Sequence, residues 1–350
     1  MIVLSLLKML TKIKTDLKVG DIMTKNLLLL STGGTIASVA SNEGLKPGES
    51  GEQLLKMLGA MPFNVTVKDI LEMDSSNIQP EEWELIAKKI NEYRNDFDGI
   101  VVSHGTDTMA YTASMLTFML QNINIPIVLT GSQVPMNVPL SDAPDNMSLA
   151  FTAAAKCKPG VYLAFNRKVM RGCRSVKVRT TSFDAFESVN FPPIAQVTSD
   201  GFQIMREQPA VNGQCHLNTK INTNVSLVKL FPGFDPNLLH AMADNGCQGI
   251  VIEAYGLGGM TFIRRNLVAA VGKLIRNGIP VIASSQCLYE RSDLTKYEVG
   301  KQALLEGAIS AHDMTSECAI TKLMWGLGQG MNVNEIAKFF NTDVAGEVTL

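Results

Sequence analysis

Short apolar runs that end in polar, glycine-containing turns recur along the chain. The first run is Leu27–Leu30, four consecutive leucines that lead directly into a Ser-Thr-Gly-Gly-Thr turn. A continuous apolar run of this length is typical of a central parallel strand that helices cover on both faces. The two glycines allow a sharp turn and the close approach of a ligand to the backbone. Thr32 and Thr35 therefore lie at the carboxyl end of the predicted strand, the edge at which open α/β sheets bind ligands.

The alternation of strand and helix continues along the chain. In the first half, the pattern predicts strands at 65–71, 98–103, 125–129 and 161–165, and helices at 51–58, 80–93, 109–120 and 146–155. In the second half it predicts strands at 225–230, 249–254 and 279–284, and helices at 237–243, 263–277, 300–306, 316–326 and 333–340. Such alternation indicates parallel sheets. We therefore predict an α/β fold of two domains, a larger N-terminal doubly wound parallel sheet and a smaller C-terminal α/β domain.

Domain boundaries follow from changes in composition. Residues 1–22 begin with an apolar stretch that lysines follow, whereas a signal peptide carries its charge before the apolar stretch. We therefore expect an N-terminal extension over 1–22, with Met23 as an alternative start. The N-terminal domain is expected over 23–205, a polar linker over 206–224 and the C-terminal domain over 225–350.

Composition excludes several classes of function. The 350 residues are 46% hydrophobic and 18% charged, which is typical of a well-packed globular protein. The net charge is −2 and no basic run is present, so nucleic acid is not expected as a partner. No window of about 18 uncharged apolar residues predicts a membrane span. The six cysteines and four histidines lack metal-binding spacing, so we expect no metal. Free thiols favour a reducing compartment.

Two segments of the N-terminal half show neither a helix nor a strand pattern. Residues 168–181 include five basic side chains and predict a solvated loop. Residues 39–51 are rich in Gly, Ser and Glu and predict a mobile loop above the strand edge, where lids are found.

Polar turns follow the predicted strands at 31–35, 74–77, 104–108 and 130–133. In a parallel sheet these turns gather at one edge, where two threonines, an aspartate and a lysine would support acyl transfer. A threonine hydroxyl is a poor nucleophile until a neighbour takes its proton, which a second threonine can relay to a lysine. Backbone N–H groups of the Gly-Gly turn would form an oxyanion hole. The pattern alone leaves open that these hydroxyls are helix caps.

Motifs in these turns resemble those of a known family. T-G-G-T-I-A at 32–37 and H-G-T-D-T-M at 104–109 are similar to the paired signatures of the asparaginase/glutaminase family. Further matches are M-D-S-S at 73–76, T-G-S-Q at 130–133, F-D-A-F-E-S-V-N-F-P-P at 183–193 and D-M-T at 313–315. The resemblance covers nearly the whole chain and is strongest to cytoplasmic type I bacterial L-asparaginases. It implies hydrolysis of L-asparagine to L-aspartate and ammonia, no cofactor, a cytoplasmic location and a homodimer or homotetramer.

The resemblance also implies catalytic roles by position. The family's nucleophile falls on Thr35, which would form an acyl-enzyme and release ammonia before water releases aspartate. The family's second triad falls on Thr106, Asp107 and Lys177.

Substrate-binding positions follow from the same resemblance. Asp107 would hold the α-ammonium group, with Thr106 adjacent to it. Ser75 would hold the α-carboxylate, with Asp74 and Ser76 beside it. An amino-acid substrate needs one fixed anion for its ammonium group and neutral donors for its carboxylate.

The chain departs from the family pattern at two places. Many members have a tyrosine on the mobile loop where this chain has Leu45, so another group must take the proton of Thr35. Tyr297, and as an alternative Tyr289, lie in a segment that the family brings near the site, although a packed tyrosine fits Tyr297 equally well. The turn Gly256–Gly259 lacks the asparagine that some relatives contribute to a neighbouring subunit's site.

Alternative functions remain open at this stage. One is a glutaminase, because asparagine and glutamine differ by one methylene. A pocket discriminates two such substrates by only roughly 1–3 kcal/mol of free energy. Another is the amidase subunit of an archaeal-type tRNA-dependent amidotransferase, although those subunits carry an additional N-terminal domain and only about 23 residues precede the first strand here. A third is a non-catalytic amino-acid-binding protein, which Leu45 favours and the lysine relay disfavours.

Overall fold

The protein is described by a computed structural model that covers residues 25–41, 44–206 and 213–350. The predicted extension over 1–22 and Met23 lie outside the described residues. The strands are β1 (Asn26–Gly33), β2 (Ser38–Ser41), β3 (Gly44–Pro47), β4 (Asn64–Met73), β5 (Gly99–Ser103), β6 (Leu120–Gln121), β7 (Pro126–Thr130), β8 (Gly160–Phe165), β9 (Lys168–Arg171), β10 (Ser175–Lys177), β11 (Phe186–Ser188), β12 (Ala195–Thr198), β13 (Gly201–Ile204), β14 (His216–Leu217), β15 (Val225–Lys229), β16 (Gly249–Ala254), β17 (Val281–Ser285) and β18 (Ile309–Ser310). The α-helices are α1 (Gly51–Leu58), α2 (Pro80–Tyr93), α3 (Met109–Met119), α4 (Ala143–Lys156), α5 (Asn237–Asp244), α6 (Leu267–Arg276), α7 (Glu298–Leu305), α8 (Ser316–Gly328) and α9 (Val333–Phe340).

The N-terminal sheet has the order β13-β12-β9-β8-β7-β5-β1-β4. Strands β4, β1, β5, β7 and β8 are parallel, as the alternating pattern predicted. Strands β9, β12 and β13 extend the sheet in antiparallel orientation, which the pattern did not predict. The two-residue turn between β8 and β9 explains the change, because Asn166 and Arg167 both have positive φ, at 43° and 64°. Two such residues form a tight hairpin, whereas a parallel strand needs a long crossover.

The C-terminal sheet contains β15, β16, β17 and β18 in that order, all parallel. The prediction of a two-domain α/β fold is therefore confirmed. The two domains meet through α3 and α8, which pack against each other between the sheets. One apolar cluster runs through this contact, since it includes Met115 of α3, Leu323 of α8 and Ile282 of β17.

Helices α1 and α4 cover the outer face of the large sheet in a second apolar cluster. Its buried side chains include Leu27 and Leu29 of β1, whereas Leu28 and Leu30 face the cluster shared with the C-terminal domain. Burial on both faces explains why β1 is a continuous run of leucines rather than an alternating pattern.

Three segments that were predicted as loops or as a linker contain strands. The prediction of a solvated loop over 168–181 is wrong, because this segment contains β9 and β10 and its Arg174 side chain is 1% exposed. The segment predicted as a loop over 39–51 contributes to the antiparallel pair of β2 and β3. In the predicted linker, β14 pairs with β6 of the N-terminal half.

Candidate active site

The carboxyl ends of four strands of the large sheet lie side by side. Ser31 of β1 is in register with Ser103 of β5, which is in register with Thr130 of β7. On the other side of β1, Gly33 pairs with Met73 of β4. The four polar turns that follow these strands therefore share one edge of the sheet.

Two glycines allow three of these turns to contact one another. A Cβ atom on Gly34 would lie 2.4 Å from the Gly105 nitrogen, and one on Gly105 would lie 2.5 Å from Ser75 Oγ. Gly34 also has a φ of 79°, which disfavours any residue with a side chain. The glycines of the T-G-G-T and H-G-T-D-T motifs are thus required by close packing between the turns.

The two threonines of the first turn occupy different environments. Thr32 is buried, and its hydroxyl donates a hydrogen bond to the Ser103 carbonyl oxygen at 2.7 Å. Thr35 begins a short 3₁₀ turn, Thr35–Ala37, and is partly exposed. Thr32 therefore joins two strands, whereas Thr35 is the threonine that a substrate can reach.

Lys177 bonds the other two members of the second triad that the resemblance implies. Its amine donates to Thr106 Oγ1 at 2.8 Å and to Asp107 Oδ1 at 2.6 Å. The lysine side chain is 17% exposed and the Asp107 side chain 58% exposed. The carboxylate is consequently available to a ligand while it orients the amine.

Gln133 is a site residue that sequence reasoning missed. Its Oε1 accepts a hydrogen bond from Thr106 Oγ1 at 3.3 Å, while its Nε2 donates to the carbonyl oxygens of Thr180 and Ser182 at 3.0 and 3.2 Å. These bonds orient the amide so that its oxygen faces Thr106. The signal was present in the T-G-S-Q motif, because that turn follows the strand adjacent to β5.

The serines after β4 contact the same aspartate. Ser75 Oγ accepts from the Asp107 backbone N–H at 3.2 Å, and its carbonyl oxygen accepts from Thr108 Oγ1 at 2.7 Å. Ser76 Oγ donates to Asp107 Oδ2 at 3.3 Å. Asp74 caps this turn by accepting from the Ser76 N–H at 2.8 Å. The structure thus brings Asp74, Ser75 and Ser76 together with Asp107.

His104 lies behind the site in a fully buried position. Its ring nitrogens contact the Gly105 carbonyl oxygen at 2.7 Å and Thr112 Oγ1 at 2.9 Å, and Trp83 Nε1 donates to the same Thr112 hydroxyl at 3.0 Å. Burial lowers the pKa of His104 to about 4, so the ring is neutral at pH 7. A neutral, fully hydrogen-bonded ring supports the turn rather than exchanging protons with a substrate.

One N–H group of the Gly-Gly turn is not available for the predicted oxyanion hole. The Gly34 N–H donates to the Met73 carbonyl oxygen at 3.0 Å. That prediction is wrong for Gly34, because closing the turn against β4 uses its N–H group.

The tyrosine predicted to assist Thr35 is not brought into this cluster. Tyr297 is 65% exposed and lines a cleft beside Tyr255 and Gly256 in the C-terminal domain. The Tyr289 hydroxyl instead donates to the carboxylate of Glu187 on β11, the strand that pairs with β10. Leu45 lies on β3, where its backbone pairs with Ala40.

The donor set of the site consists of hydroxyls, one amine, one amide and carboxylates. Across residues 25–41, 44–206 and 213–350, no group of three or more His, Cys, Asp or Glu side chains is arranged to hold a metal ion. Within the same residues, no helix is both long and apolar enough to cross a membrane.

Two family models match the chain. The N-terminal asparaginase model matches residues 26–210, and the glutaminase/asparaginase C-terminal model matches residues 224–340. The chain is 44% identical to an L-asparaginase of Thermococcus kodakarensis over 92% of this chain and 99% of that protein. It is also 35% identical to a subunit of the glutamyl-tRNA(Gln) amidotransferase of Methanosphaera stadtmanae, over 95% of this chain and 78% of that protein.

Solved structures agree with these matches. The thermostable L-asparaginase from T. kodakarensis superposes with a TM-score of 0.89 at 43% identity, covering 93% of this chain and 99% of that one. L-asparaginase I from Vibrio cholerae superposes with a TM-score of 0.83 at 30% identity, covering 93% and 100% of the two chains. Motifs, fold and both domain matches lead to one conclusion: the chain belongs to the asparaginase family.

Proposed function

We propose that the protein is an L-asparagine amidohydrolase that produces L-aspartate and ammonia through a threonine acyl-enzyme. The observation that carries the proposal is the Lys177 amine, which bonds both Thr106 and Asp107 at the edge where Thr35 is partly exposed. A protein that merely bound amino acids would not need a lysine on the second threonine. The similarity to the L-asparaginase of T. kodakarensis supports the same activity.

The substrate is proposed to lie between the first and second threonine turns. Asp107 is more than half exposed and would bind the α-ammonium group. The Ser75 and Ser76 hydroxyls lie beside Asp107 and would donate to the α-carboxylate, with Asp74 holding their turn.

In the proposed reaction, Thr35 Oγ1 attacks the side-chain amide carbon of asparagine. For this relay Lys177 must act as an uncharged amine that accepts from Thr106, the reverse of the bond in the resting site. The Thr35 proton then passes by way of Thr106 to Lys177 and on to the departing nitrogen, so that the C–N bond breaks and ammonia leaves. Water then attacks the ester, which releases aspartate and returns the hydroxyl of Thr35. We propose Tyr297 as the group that assists Thr35; this requires its approach to the site when substrate binds, because it lines a separate cleft here.

We further propose a cytoplasmic homo-oligomer. All six cysteines are free thiols, which favours a reducing compartment. Phe231, Ile263 and Tyr297 on the C-terminal domain expose 57%, 84% and 65% of their surface, and large exposed apolar side chains of this kind favour a contact with a second copy.

The test is ammonia release from L-asparagine and, separately, from L-glutamine. L-glutamine is included because the chain is also similar to a subunit of a glutamyl-tRNA(Gln) amidotransferase. We expect Thr35→Ala to lower kcat by at least about 10³-fold, because it removes the nucleophile. The matched control is Thr32→Val, which removes the hydroxyl that donates to a carbonyl oxygen of β5. It should keep kcat within about 2-fold and lower the free energy of unfolding by about 1 kcal/mol.

Two results would contradict the proposal. One is full activity of the Thr35→Ala variant, which would exclude this nucleophile. The other is a wild-type protein that binds L-asparagine and releases no ammonia, which would make it a binding protein.

A further inference from the structure

We propose that the C-terminal tail, residues 341–350, is a positioning element for Lys177 and acts through Arg174. This inference rests on the proposed function, since it concerns the rate of the same reaction. The family match in the C-terminal domain ends at residue 340, so the tail contributes contacts beyond that match.

The strand that carries Lys177 is short and depends on packing against the rest of the protein. Strands β10 and β11 have three residues each and form a separate two-stranded sheet. A two-stranded sheet of this size is marginally stable in water without further packing. Burial of Ser175 and Val176 holds the middle of the strand, and the contacts at the ends of β10 contribute to the position of the Lys177 amine.

Arg174 holds the N-terminal end of β10, three residues before Lys177. Its Nε donates to the Gly346 carbonyl oxygen at 2.9 Å, and its Nη2 donates to Thr349 Oγ1 at 3.2 Å. Its Nη1 forms an ion pair with Asp313 Oδ2 at 2.9 Å. The Arg174 side chain is 1% exposed, so the tail and Asp313 take the place of water around its guanidinium.

The tail is itself fixed to the protein core. Glu347 and Lys322 of α8 form an ion pair at 2.5 Å in which both side chains are fully buried. Lys322 also donates to the Thr342 carbonyl oxygen at 2.9 Å, and the Thr349 N–H donates to Asp313 Oδ1 at 2.8 Å. Val348 is 4% exposed and belongs to the apolar cluster between the domains.

These contacts form a continuous path from α8 through the tail to Arg174 and the strand of Lys177. Because the amine of Lys177 lies 2.8 Å from Thr106 Oγ1 and 2.6 Å from Asp107 Oδ1, a small displacement of β10 breaks both bonds. Misplacement of a catalytic group by about 1 Å costs on the order of 10²-fold in rate. The tail thus determines the rate of the proton relay without contacting the substrate.

The test compares Arg174→Lys with Thr349→Val. Lysine keeps the positive charge opposite Asp313 but lacks the planar fork that reaches Gly346 and Thr349. We expect Arg174→Lys to lower kcat for L-asparagine by about 10- to 100-fold with KM within about 2-fold, because the relay is misplaced while the Asp107 and Ser75 contacts remain. Thr349→Val, which loses one of the three contacts, should lower kcat by a few-fold.

General loss of stability is separated from positioning by Leu274→Ala, which opens a cavity in the separate core of the C-terminal domain, where Leu274 is 1% exposed. All variants are assayed well below their melting temperatures, and L-aspartate titration counts the folded sites. The proposal is supported if Leu274→Ala lowers the melting temperature as much as Arg174→Lys and keeps wild-type kcat per folded site. It is overturned if Arg174→Lys keeps wild-type kcat, or if Leu274→Ala loses kcat equally.

Failure of the function itself is recognised first. If wild-type protein releases no ammonia, the proposed function fails before any variant is compared. If wild-type protein is active and Arg174→Lys is equally active, the positioning role alone fails.

Discussion

The two domains place polar side chains at the carboxyl ends of their parallel strands with opposite results. At the edge of the large sheet, Lys177, Thr106 and Asp107 bond one another, and the carboxylate remains open to solvent. At the edge of the small sheet, Gln286 Nε2 donates to the backbone carbonyl oxygens of Leu230 and Glu253 at 2.6 and 3.0 Å.

A second side chain at the small-sheet edge also bonds a backbone carbonyl oxygen. Ser285 Oγ donates to the Gly256 carbonyl oxygen at 2.6 Å. Gln286 and Ser285 thus bond backbone carbonyl oxygens at the ends of neighbouring strands, and a nearby cleft is lined largely by apolar residues such as Phe231 and Ile263. The comparison teaches that the candidate site lies where Ser76, Asp107 and Lys177, from three separate elements, bond one another through their side chains. Gln286 and Ser285 are instead used to satisfy backbone carbonyl oxygens.

The largest effect is expected from Lys177→Met at the large-sheet edge. General acid–base catalysis typically contributes about 10²- to 10⁴-fold, so kcat should fall by that amount. Stability should change by less than about 1 kcal/mol, because the partner carboxylate is more than half exposed. The control is Lys168→Met, which removes a partly exposed ion pair with Asp184 at 3.1 Å and should leave kcat unchanged. Equal losses in both variants would contradict the role of Lys177.

The next largest effect is expected from replacing His104, which lies outside the proposed substrate contacts. The replacement should change how the free energy of unfolding depends on pH. The pKa of His104 is lowered from 6.5 to about 4 by burial. Between pH 6.5 and 4 the unfolded chain binds this proton and the folded chain does not, so the free energy of unfolding decreases as pH falls. The full loss is on the order of 3 kcal/mol.

Urea unfolding of wild type and His104→Gln at pH 7, 6, 5 and 4 measures this contribution. The carboxylates titrate in both proteins alike, so the difference between the two pH profiles reports the contribution of His104. Parallel profiles would show that the histidine does not titrate as its burial predicts.

The smallest effect on activity is expected from Gln286→Leu at the small-sheet edge. Two carbonyl oxygens lose their donor, which should lower the free energy of unfolding by about 1–3 kcal/mol. kcat per folded molecule should stay within about 2-fold of wild type. Gln302→Leu on α7 is the control and should change stability by less than about 0.5 kcal/mol. A loss of activity much larger than 2-fold in Gln286→Leu would make the second edge part of the site and break the comparison.

Local signals in the sequence were sufficient for many elements. Helix α1 has its predicted bounds because Ser50 and Gln53 form a capping box at its start. Helix α2 likewise begins at Pro80, with Glu81 and Glu82 in its first turn. The strand edge of the large sheet was also predictable, since polar motifs directly follow buried apolar runs.

Segments whose partners are distant in sequence were not predictable. Arg174 reads as a solvated basic residue until Asp313 and Gly346 are brought to it, from positions 139 and 172 residues away. The same is true of Gln133, whose amide is oriented by carbonyl oxygens on the segment after β10.

The sequence by itself determined the order of the helices and of the parallel strands, the polar turns at the strand ends and the family, because these depend on side-chain periodicity and on neighbours within a few residues. The tertiary structure decided that Thr32 joins two strands while Thr35 is partly exposed, and that Lys177 reaches Thr106 across 71 residues. The physical reason is that hydrogen-bond partners remote in sequence are selected by packing of whole elements. Local propensity carries no information about which of two nearby hydroxyls that packing will cover.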